Sequence, residues 1–261
     1  MKAVLIAVVV ALAWAGSVLA APKTARELSG FVGLVREVVE SRATIADDGG
    51  EAVEERPRLT RITKYDRRGN FVEWGDFKPS GALAERSVLE YATPGYIRTA
   101  TTYTADGTVD VVTVGTYDAA RRTADVIVNN GDGSIRHKAT LTFDANGNNV
   151  QNVLTSPEGR AISRLVLSYN SKQQTIRWAW YKEGASAPSI EEFIYDGNGN
   201  LRRHRDLRSD GSVWLESRFI EYEFDTNGNW IKRKQMSEFY SRDGDKFLEN
   251  KQVIYRKITY Y

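Results

Sequence analysis

An aromatic residue recurs at a fixed interval through most of this chain, and the interval constrains the fold more than any other feature. Successive members lie 26 residues apart, and the last follows after 29. The members are Tyr65, Tyr91, Tyr117, Phe143, Tyr169, Tyr195 and Phe224. So regular a period is typical of repeat architectures, in which each unit packs on its neighbours.

The recurring aromatic residue opens a turn in most of the repeats. The segments YDRRGNFV, FDANGNNV, YDGNGNLR and FDTNGNWI begin at residues 65, 143, 195 and 224. Asn-Gly and Asp-Gly pairs favour tight hairpins, because glycine adopts positive φ and Asn or Asp tolerates it. We therefore predict structural turns with positive φ at Gly69, Gly147, Gly199 and Gly228.

A second series of turn glycines runs at the same interval, about halfway between the aromatic residues. It comprises Gly81, Gly107, Gly133, Gly159 and Gly211, and Gly184 stands beside Ala185 where the series is interrupted. Two turns per repeat leave roughly eight or nine residues for each strand. The sequence therefore predicts an all-β fold, a long antiparallel meander of about fourteen strands. Because twist accumulates across a large sheet, we expect it to coil into a half-pipe or an open, barrel-like sheet.

The strand register depends on the length of the turns. A two-residue turn at Asn146 and Gly147 pairs Phe143 with Val150, and the same register one repeat later pairs Leu167 with Trp178. A three-residue loop with a bulge shifts the pairing by one residue and sends the tryptophan to the other face. We favour the two-residue turn because it gives the more coherent apolar face.

The first twenty residues have the pattern of a secretory signal peptide. Lys2 precedes an apolar run over residues 3–14, and Val18, Leu19 and Ala20 supply small residues for cleavage near Ala20. An uncleaved anchor is the alternative, but the run is short against the ~20 residues of a bilayer span. We expect an extracytoplasmic protein, periplasmic or secreted, with no membrane span in the mature chain.

Composition excludes several classes of protein. The chain has no cysteine, so it has no disulfide framework, no thiolate chemistry and no lipid-modified cysteine. Its formal net charge is +2. A charge this close to zero gives no electrostatic reason to expect nucleic acid as a partner.

The segment at residues 21–56 differs from the repeats and forms a lead-in. Leu28, Phe31, Leu34 and Val38 fit the period of an amphipathic helix, whereas residues from about 34 also suit a first strand. We favour the strand, followed by a polar loop. Residues 57–261 form the repeat domain, and NKQVIYRKITYY reads as its closing strand.

The motif Y-D-x-x-G-N followed by a hydrophobic residue resembles the core of the YD repeat of Rhs-type proteins. The resemblance covers residues 57–261 and extends to small secreted bacterial proteins built only from such repeats. It implies a β-repeat fold. The family's typical repeat is shorter, and no R-Y-Y-D-P motif introduces a toxin domain, so a toxin-encapsulating role is not expected.

No constellation of catalytic, metal-binding or cofactor-binding residues is visible in the sequence. The Asp144, Asn146 and Asn148 triplet has the ligand spacing of a calcium loop but lacks the glycine that such a loop requires at its sixth position. The two histidines, His137 and His204, have no nearby cysteine or second histidine that would form a zinc site. We therefore predict no metal, no cofactor and no enzymatic activity.

Two groups of residues are candidates for ligand binding. Trp178 and Trp180 lie on one face of one strand, where they stack on a ligand or pack in the core. The basic group offers an anion-binding surface or, alternatively, ordinary charge on the sheet. It comprises Arg202, Arg203, Arg205, Arg208, Lys232 and Lys234.

These features favour a non-enzymatic extracytoplasmic binding or scaffold protein. Its expected partner is an envelope or extracellular protein, a polysaccharide or a lipid. The alternative is a periplasmic carrier that holds a lipid or another apolar ligand against the concave face of the sheet. An enzyme is the least favoured class.

Overall fold

A computed structural model describes residues 24–48, 51–92 and 97–261, so the predicted signal peptide at 1–20 lies outside the described residues. No helix among the described residues is long and apolar enough to cross a lipid bilayer.

One short helix, α1 (Ala25–Leu28), precedes the strands. The strands are β1 (Val35–Asp48), β2 (Glu51–Glu54), β3 (Arg58–Tyr65), β4 (Phe71–Phe77), β5 (Leu83–Tyr91), β6 (Ile97–Thr104), β7 (Val109–Asp118), β8 (Thr123–Asn130), β9 (Ile135–Phe143), β10 (Asn149–Thr155), β11 (Ala161–Tyr169), β12 (Thr175–Lys182), β13 (Ser189–Tyr195), β14 (Leu201–Leu207), β15 (Val213–Phe224), β16 (Trp230–Tyr240) and β17 (Lys246–Tyr260).

The sheet closes on itself. Strands β3 to β17 pair consecutively and antiparallel, and β1 pairs with β3 on one side and β17 on the other. The result is a barrel of sixteen strands, with β2 paired only to the end of β1 outside the ring. The predicted antiparallel meander is confirmed, but the predicted open edges are wrong. The lead-in strand β1 occupies both edges that the meander would otherwise leave unpaired.

Most of the hairpin turns have three-residue loops rather than two-residue loops. The Asp144 N–H donates to the Asn148 carbonyl at 2.9 Å, and the Gly147 N–H donates to the Asp144 carbonyl at 3.1 Å. Phe143 consequently pairs with Asn149, and the pairing predicted for Phe143 with Val150 is wrong. A β-bulge then follows in the second strand.

The bulge restores the register in the body of these hairpins. Leu167 pairs with Trp178 and Leu165 pairs with Trp180, which are the pairs that the alternation of apolar residues indicates. The extra loop residue and the extra bulge residue cancel, so both tryptophans remain on the same face as the leucines. The same register shift at a β-bulge occurs beside turns of both series, for example between Asp76 and Phe77.

Most turns of the first series that the structure describes place their fourth residue at positive φ. Gly69, Gly147, Gly199 and Gly228 have φ between 80° and 91°. The turn at residues 170–174 has no glycine, and Gln173 adopts φ 62° instead. A left-handed conformation costs a residue with a Cβ roughly 1–2 kcal/mol.

Replacing Gln173 by glycine is therefore expected to raise the free energy of unfolding by about 0.5 kcal/mol, once the greater freedom of glycine in the unfolded chain is subtracted. Urea denaturation measures the change. The control is Ser171→Gly in the same loop, where no positive φ is relieved and a small loss is expected. A Gln173→Gly protein less stable than the wild type would contradict this explanation of the turn.

The recurring tyrosine bonds to the backbone of the preceding repeat. The hydroxyl groups of Tyr91, Tyr169 and Tyr195 donate to carbonyl oxygens at 2.7, 2.7 and 3.0 Å. The acceptors are Phe71, Asn149 and Thr175, each the first residue of the strand that follows the preceding turn of the series. Burial raises the pKa of Tyr169 to about 12, so it remains a donor. The tyrosine series thus satisfies backbone groups next to the bulges.

Apolar side chains fill one part of the barrel interior. Strands β4 to β10 direct a continuous set of buried residues inward, in which Val111 and Leu141 are wholly inaccessible to solvent. Its members include Trp74, Leu89, Val111, Val126, Val128, Leu141, Phe143 and Leu154. Open space inside the barrel therefore lies on the other side, beside β11 to β17 and β1.

Candidate functional site

A cavity of about 600 Å³ lies at the barrel end that carries the first series of turns. Residues 27–32 form its roof, and strands β11, β12, β16 and β17 contribute walls. The rim consists of turn residues from four hairpins, including Gly147, Gln173, Gly199 and Gly228. The cavity is the candidate functional site because it combines apolar, aromatic and cationic groups inside the barrel.

Specific bonds hold the roof segment to the barrel. The Asn229 Oδ1 accepts from the Val32 N–H at 2.7 Å, and its Nδ2 donates to the Val32 carbonyl at 2.9 Å. The Ser29 and Tyr65 hydroxyl groups lie 3.1 Å apart, and the Arg26 N–H donates to the Gly69 carbonyl. The roof is therefore attached on two sides of the barrel mouth.

One wall of the cavity is apolar and aromatic. Leu165, Leu167 and Trp178 project into it from β11 and β12. The Trp178 ring packs edge-on against Phe193 with centroids 5.2 Å apart. The Trp178 Nε1 is buried without a hydrogen-bond acceptor, so this wall retains one unused donor.

Arg256 lies in the opposite wall between aromatic rings. Its guanidinium is 3.5 Å from the Trp230 ring centroid and 5.1 Å from that of Phe31. The Glu40 carboxylate lies 3.4 Å from the Arg256 Nε and is shared with Arg42 at 3.1 Å. Burial lowers the pKa of Arg256 to about 10, against the attraction of Glu40.

Arg233 is the second cation of the cavity and is partly buried. Its guanidinium lies 4.2 Å from the Trp230 ring centroid and 4.3 Å from that of Phe219. In the part of the chain that the structure describes, no carboxylate reaches ion-pair distance of Arg233, and its buried Nε has no acceptor. Burial lowers the pKa of Arg233.

The charged groups around the cavity are mostly cationic. Arg233, Arg256 and Lys172 contribute positive charge, whereas Glu27 is engaged in the capping box of α1 with Thr24. Screening by water is weak in such a partly enclosed space. The cavity therefore favours an anion in contact with an apolar body.

A separate titratable cluster lies on the interior face of β13 and β14. The His204 Nε2 is 3.3 Å from the Glu191 Oε2 and 3.2 Å from the Asp206 Oδ1. Burial opposes protonation of His204, but the neighbouring carboxylates of Asp206 and Glu191 raise its pKa to about 9. The imidazole stacks on Phe193 at 4.9 Å.

The tryptophans selected from the sequence have different environments. Trp178 lines the cavity, as a ligand-binding role requires. Trp180 lies on the same strand face, opposite Leu165 and Ser189, outside the residues that line this cavity. A direct role of Trp180 in ligand binding stays a prediction.

Most of the selected basic residues are paired with carboxylates of the barrel. Arg203 and Arg205 both approach Glu216, at 3.6 and 2.7 Å. Lys232 pairs with Glu223 at 2.9 Å and Lys234 with Glu221 at 3.3 Å.

Arg208 donates to the Val213 carbonyl at 2.8 Å. Arg202 is exposed. Anion binding by this surface stays a prediction, and any anion there has to compete with these carboxylates.

The aspartates of the turns serve the backbone. The Asp144 Oδ1 accepts from the N–H groups of Asn146 and Asn148, both at 2.8 Å. Asp196 accepts from Asn198 and Asn200 in the same way. The oxygen ligands that suggested a calcium loop are thus engaged in hairpin geometry.

Sequence reasoning missed the cavity's cations. Arg233 stands between Lys232 and Lys234, which were selected, but alternation places it on the opposite face from them. Arg256 stands one position after Tyr255 in a strand that reads as partly apolar. These arginines could have been found as cations at inward-facing positions of a strand. That requires knowing which face of each strand points into the barrel.

Comparison with known proteins identifies the fold. No family model matches the chain, and no curated protein matches it. A crystal structure of a porin-like protein from Bacteroides uniformis ATCC 8492 superposes with a TM-score of 0.57 and 11% identity, covering 88% of this chain and 99% of that one. The two chains share a fold.

Two further solved structures are more distant. The outer membrane lipoprotein-sorting protein domain from Vibrio parahaemolyticus gives a TM-score of 0.29 at 9% identity, covering 90% of both chains. The TcdB2-TccC3-Cdc42 structure gives 0.24 at 12% identity, covering 86% of this chain and 14% of that chain. These scores are too low to indicate a shared fold. Because no family model matches, the resemblance to YD-repeat proteins rests on the turn motifs alone.

Proposed function

We propose that this chain is a non-enzymatic, extracytoplasmic binding protein that holds a small amphiphilic anion inside its barrel. The observation that carries the proposal is Arg233, a cation inside the barrel that is surrounded by aromatic rings and has no carboxylate partner among the described residues. An unpaired buried charge costs stability. A site that retains such a cost is characteristic of function, because a bound counterion offsets it.

The ligand class follows from the two walls of the cavity. A carboxylate between Arg233 and Arg256 accepts charge-assisted hydrogen bonds, which are among the strongest that a protein makes. Its apolar body lies against Leu165, Leu167 and Trp178. The volume of about 600 Å³ falls inside the range of roughly 300–1,000 Å³ for small-molecule sites. A medium- or long-chain carboxylate meets both requirements.

The outer face of the barrel supports a protein surrounded by water rather than a membrane pore. Glu73 pairs with Lys64 at 3.2 Å and with Arg86 at 3.1 Å across three strands. Glu238 pairs with Arg218 at 2.6 Å and with Lys246 at 3.3 Å across another three strands, β15 to β17. Barrels that cross membranes present an apolar band to lipid instead. The extracytoplasmic location rests on the signal-peptide pattern, and the shared fold with a porin-like protein agrees with it.

The proposal is tested by displacement of the fluorescent anion 1-anilinonaphthalene-8-sulfonate from delipidated protein. Dodecanoate is expected to displace the probe, and dodecanol, which has the same chain length but no charge, is expected to do so at least tenfold less well. Arg233→Met is expected to weaken dodecanoate binding by ~10–100-fold, because a hydrogen bond to a charged group contributes roughly 1.5–3 kcal/mol.

The matched control is Arg86→Met, which removes an arginine from the outer face of the same barrel and is expected to leave dodecanoate binding unchanged. Arg233→Met is also expected to leave the free protein at least as stable as the wild type, since it removes an unpaired buried charge. Equal displacement by dodecanol and dodecanoate would overturn the assignment of an anionic ligand. If Arg233→Met and the control variant bound dodecanoate equally well, Arg233 would not contribute to ligand binding.

A further inference from the structure

Three potential metal ligands converge inside the barrel, away from the cations of the anion cavity. Glu191 on β13 lies directly opposite Asp206 on β14. His204 is two residues before Asp206 on the same strand, so all three side chains share the inward face. The His204 Nε2 and one oxygen from each carboxylate lie within 4.8 Å of one another.

One hydrogen on the His204 Nε2 cannot form good hydrogen bonds to both carboxylates of this cluster. The His204 Nε2 carries at most one hydrogen, and the two oxygens that face it are the Glu191 Oε2 at 3.3 Å and the Asp206 Oδ1 at 3.2 Å. The hydrogen-bond geometry favours Glu191, and the buried Asp206 Oδ1 has no hydrogen-bond partner. One carboxylate oxygen is thus aimed at the imidazole nitrogen without receiving a hydrogen.

We propose that Glu191, His204 and Asp206 bind a divalent metal ion of the zinc class, a site independent of the proposed anion cavity. One cation placed between the three atoms bonds to all of them, which a proton cannot do. A tetrahedral ion with bonds of ~2.0–2.1 Å holds its ligand atoms about 3.3 Å apart. The two distances from the His204 Nε2 already match that spacing.

The chemistry of the ligand atoms selects the ion. One imidazole nitrogen and two carboxylate oxygens suit Zn²⁺ and Co²⁺, whereas Ca²⁺ and Mg²⁺ prefer sets composed only of oxygen. Three protein ligands leave a fourth position open for water or for an anion.

The surroundings hold the ligands in place. The His204 ring is stacked on Phe193 with an interplanar angle of 20°, and Phe193 in turn contacts Trp178. Adjacent strands fix the backbone of all three ligand residues. Because Trp178 also pairs directly with Glu191, bound metal lies near a natural fluorophore.

The test titrates untagged, chelator-treated protein with Co²⁺ at pH 8 and records the visible absorption of the ion together with tryptophan fluorescence. One equivalent of Co²⁺ is expected to give the intense bands of a tetrahedral complex and to quench Trp178. Zn²⁺ is expected to displace it stoichiometrically. Calorimetry with Zn²⁺ gives the affinity independently of the spectrum.

Variants decide which residues bind. His204→Gln is expected to weaken Zn²⁺ binding about 100-fold, whereas His137→Gln, which changes the chain's other histidine, is expected to change nothing. Asp206→Asn keeps the side-chain shape and is expected to weaken binding at least tenfold, which guards against a His204 variant that does not fold. Absence of saturable binding, or binding retained by both His204→Gln and Asp206→Asn, would reduce the cluster to an ion pair and overturn the proposal.

Discussion

Replacing Val39 by proline is expected to lower the free energy of unfolding by about 3 kcal/mol, the largest effect of any single substitution considered. Val39 lies in the middle of β1 and pairs with Ile62 of β3 and Lys257 of β17. Proline removes a backbone donor from the interior of a sheet, where both sides of the strand are paired. The substitution thereby weakens the strand that closes the ring. Urea denaturation followed by circular dichroism measures the loss.

The control is Val53→Pro in β2, which pairs only with the end of β1 and is exposed. Proline is tolerated in edge strands, so a loss of about 1 kcal/mol or less is expected. Comparable losses for the two variants would show that β1 contributes no more to stability than a peripheral strand. Closure of the barrel would then not be a principal source of its stability.

Replacing Asn229 by alanine is expected to detach the roof of the cavity, with a local cost of about 2 kcal/mol. The Asn229 side chain bonds both backbone groups of Val32 and the Tyr260 hydroxyl, at 2.7 to 2.9 Å. Alanine leaves the Val32 groups unpaired. Cleavage by chymotrypsin at Phe31, which is buried in the closed form, is expected to rise roughly 30-fold, because proteolysis follows the population of the open state.

Asn200 provides a matched control, since it holds the equivalent position in the preceding repeat. Among the described residues, its side chain hydrogen-bonds to Asp196, at 3.2 Å, and has no hydrogen bond to the roof segment. Asn200→Ala is expected to cost less than about 1 kcal/mol and to leave cleavage at Phe31 unchanged. If both variants were cleaved at the wild-type rate, the asparagine bridge would not be what holds the roof closed.

Local chemistry made the meander predictable. Glycine marks the turns because positive φ is required there, and the alternation of Leu165 and Leu167 identifies the inward face. The register of Trp178 was predictable for the same reason, even though the loop is longer than the two residues expected. A buried face tolerates an extra loop residue only when a bulge returns the side chains to that face.

Closure and the cavity were not predictable in the same way. The pairing of β1 with β17 joins residues more than 200 positions apart, such as Glu40 and Arg256, and neither strand carries a local sign of its partner. The roof was also missed as a unit. Gly30 and Gly33 adopt φ of 77° and 81° and redirect the chain from α1 into β1.

The position of β1 between β3 and β17 determines the order in which the molecule can form. Strand β1 can pair early with β3, which follows it closely in the chain, whereas its second partner, β17, lies more than 200 residues further along. Contacts of such large sequence separation are slow to form, so closure is expected to be the final and rate-limiting event of folding. Until the barrel closes, the strand at each edge of the sheet has unpaired backbone N–H and C=O groups that can pair with another chain. A chain that stops before β17 retains both unpaired edges permanently. Truncated products are therefore expected to be prone to proteolysis and aggregation.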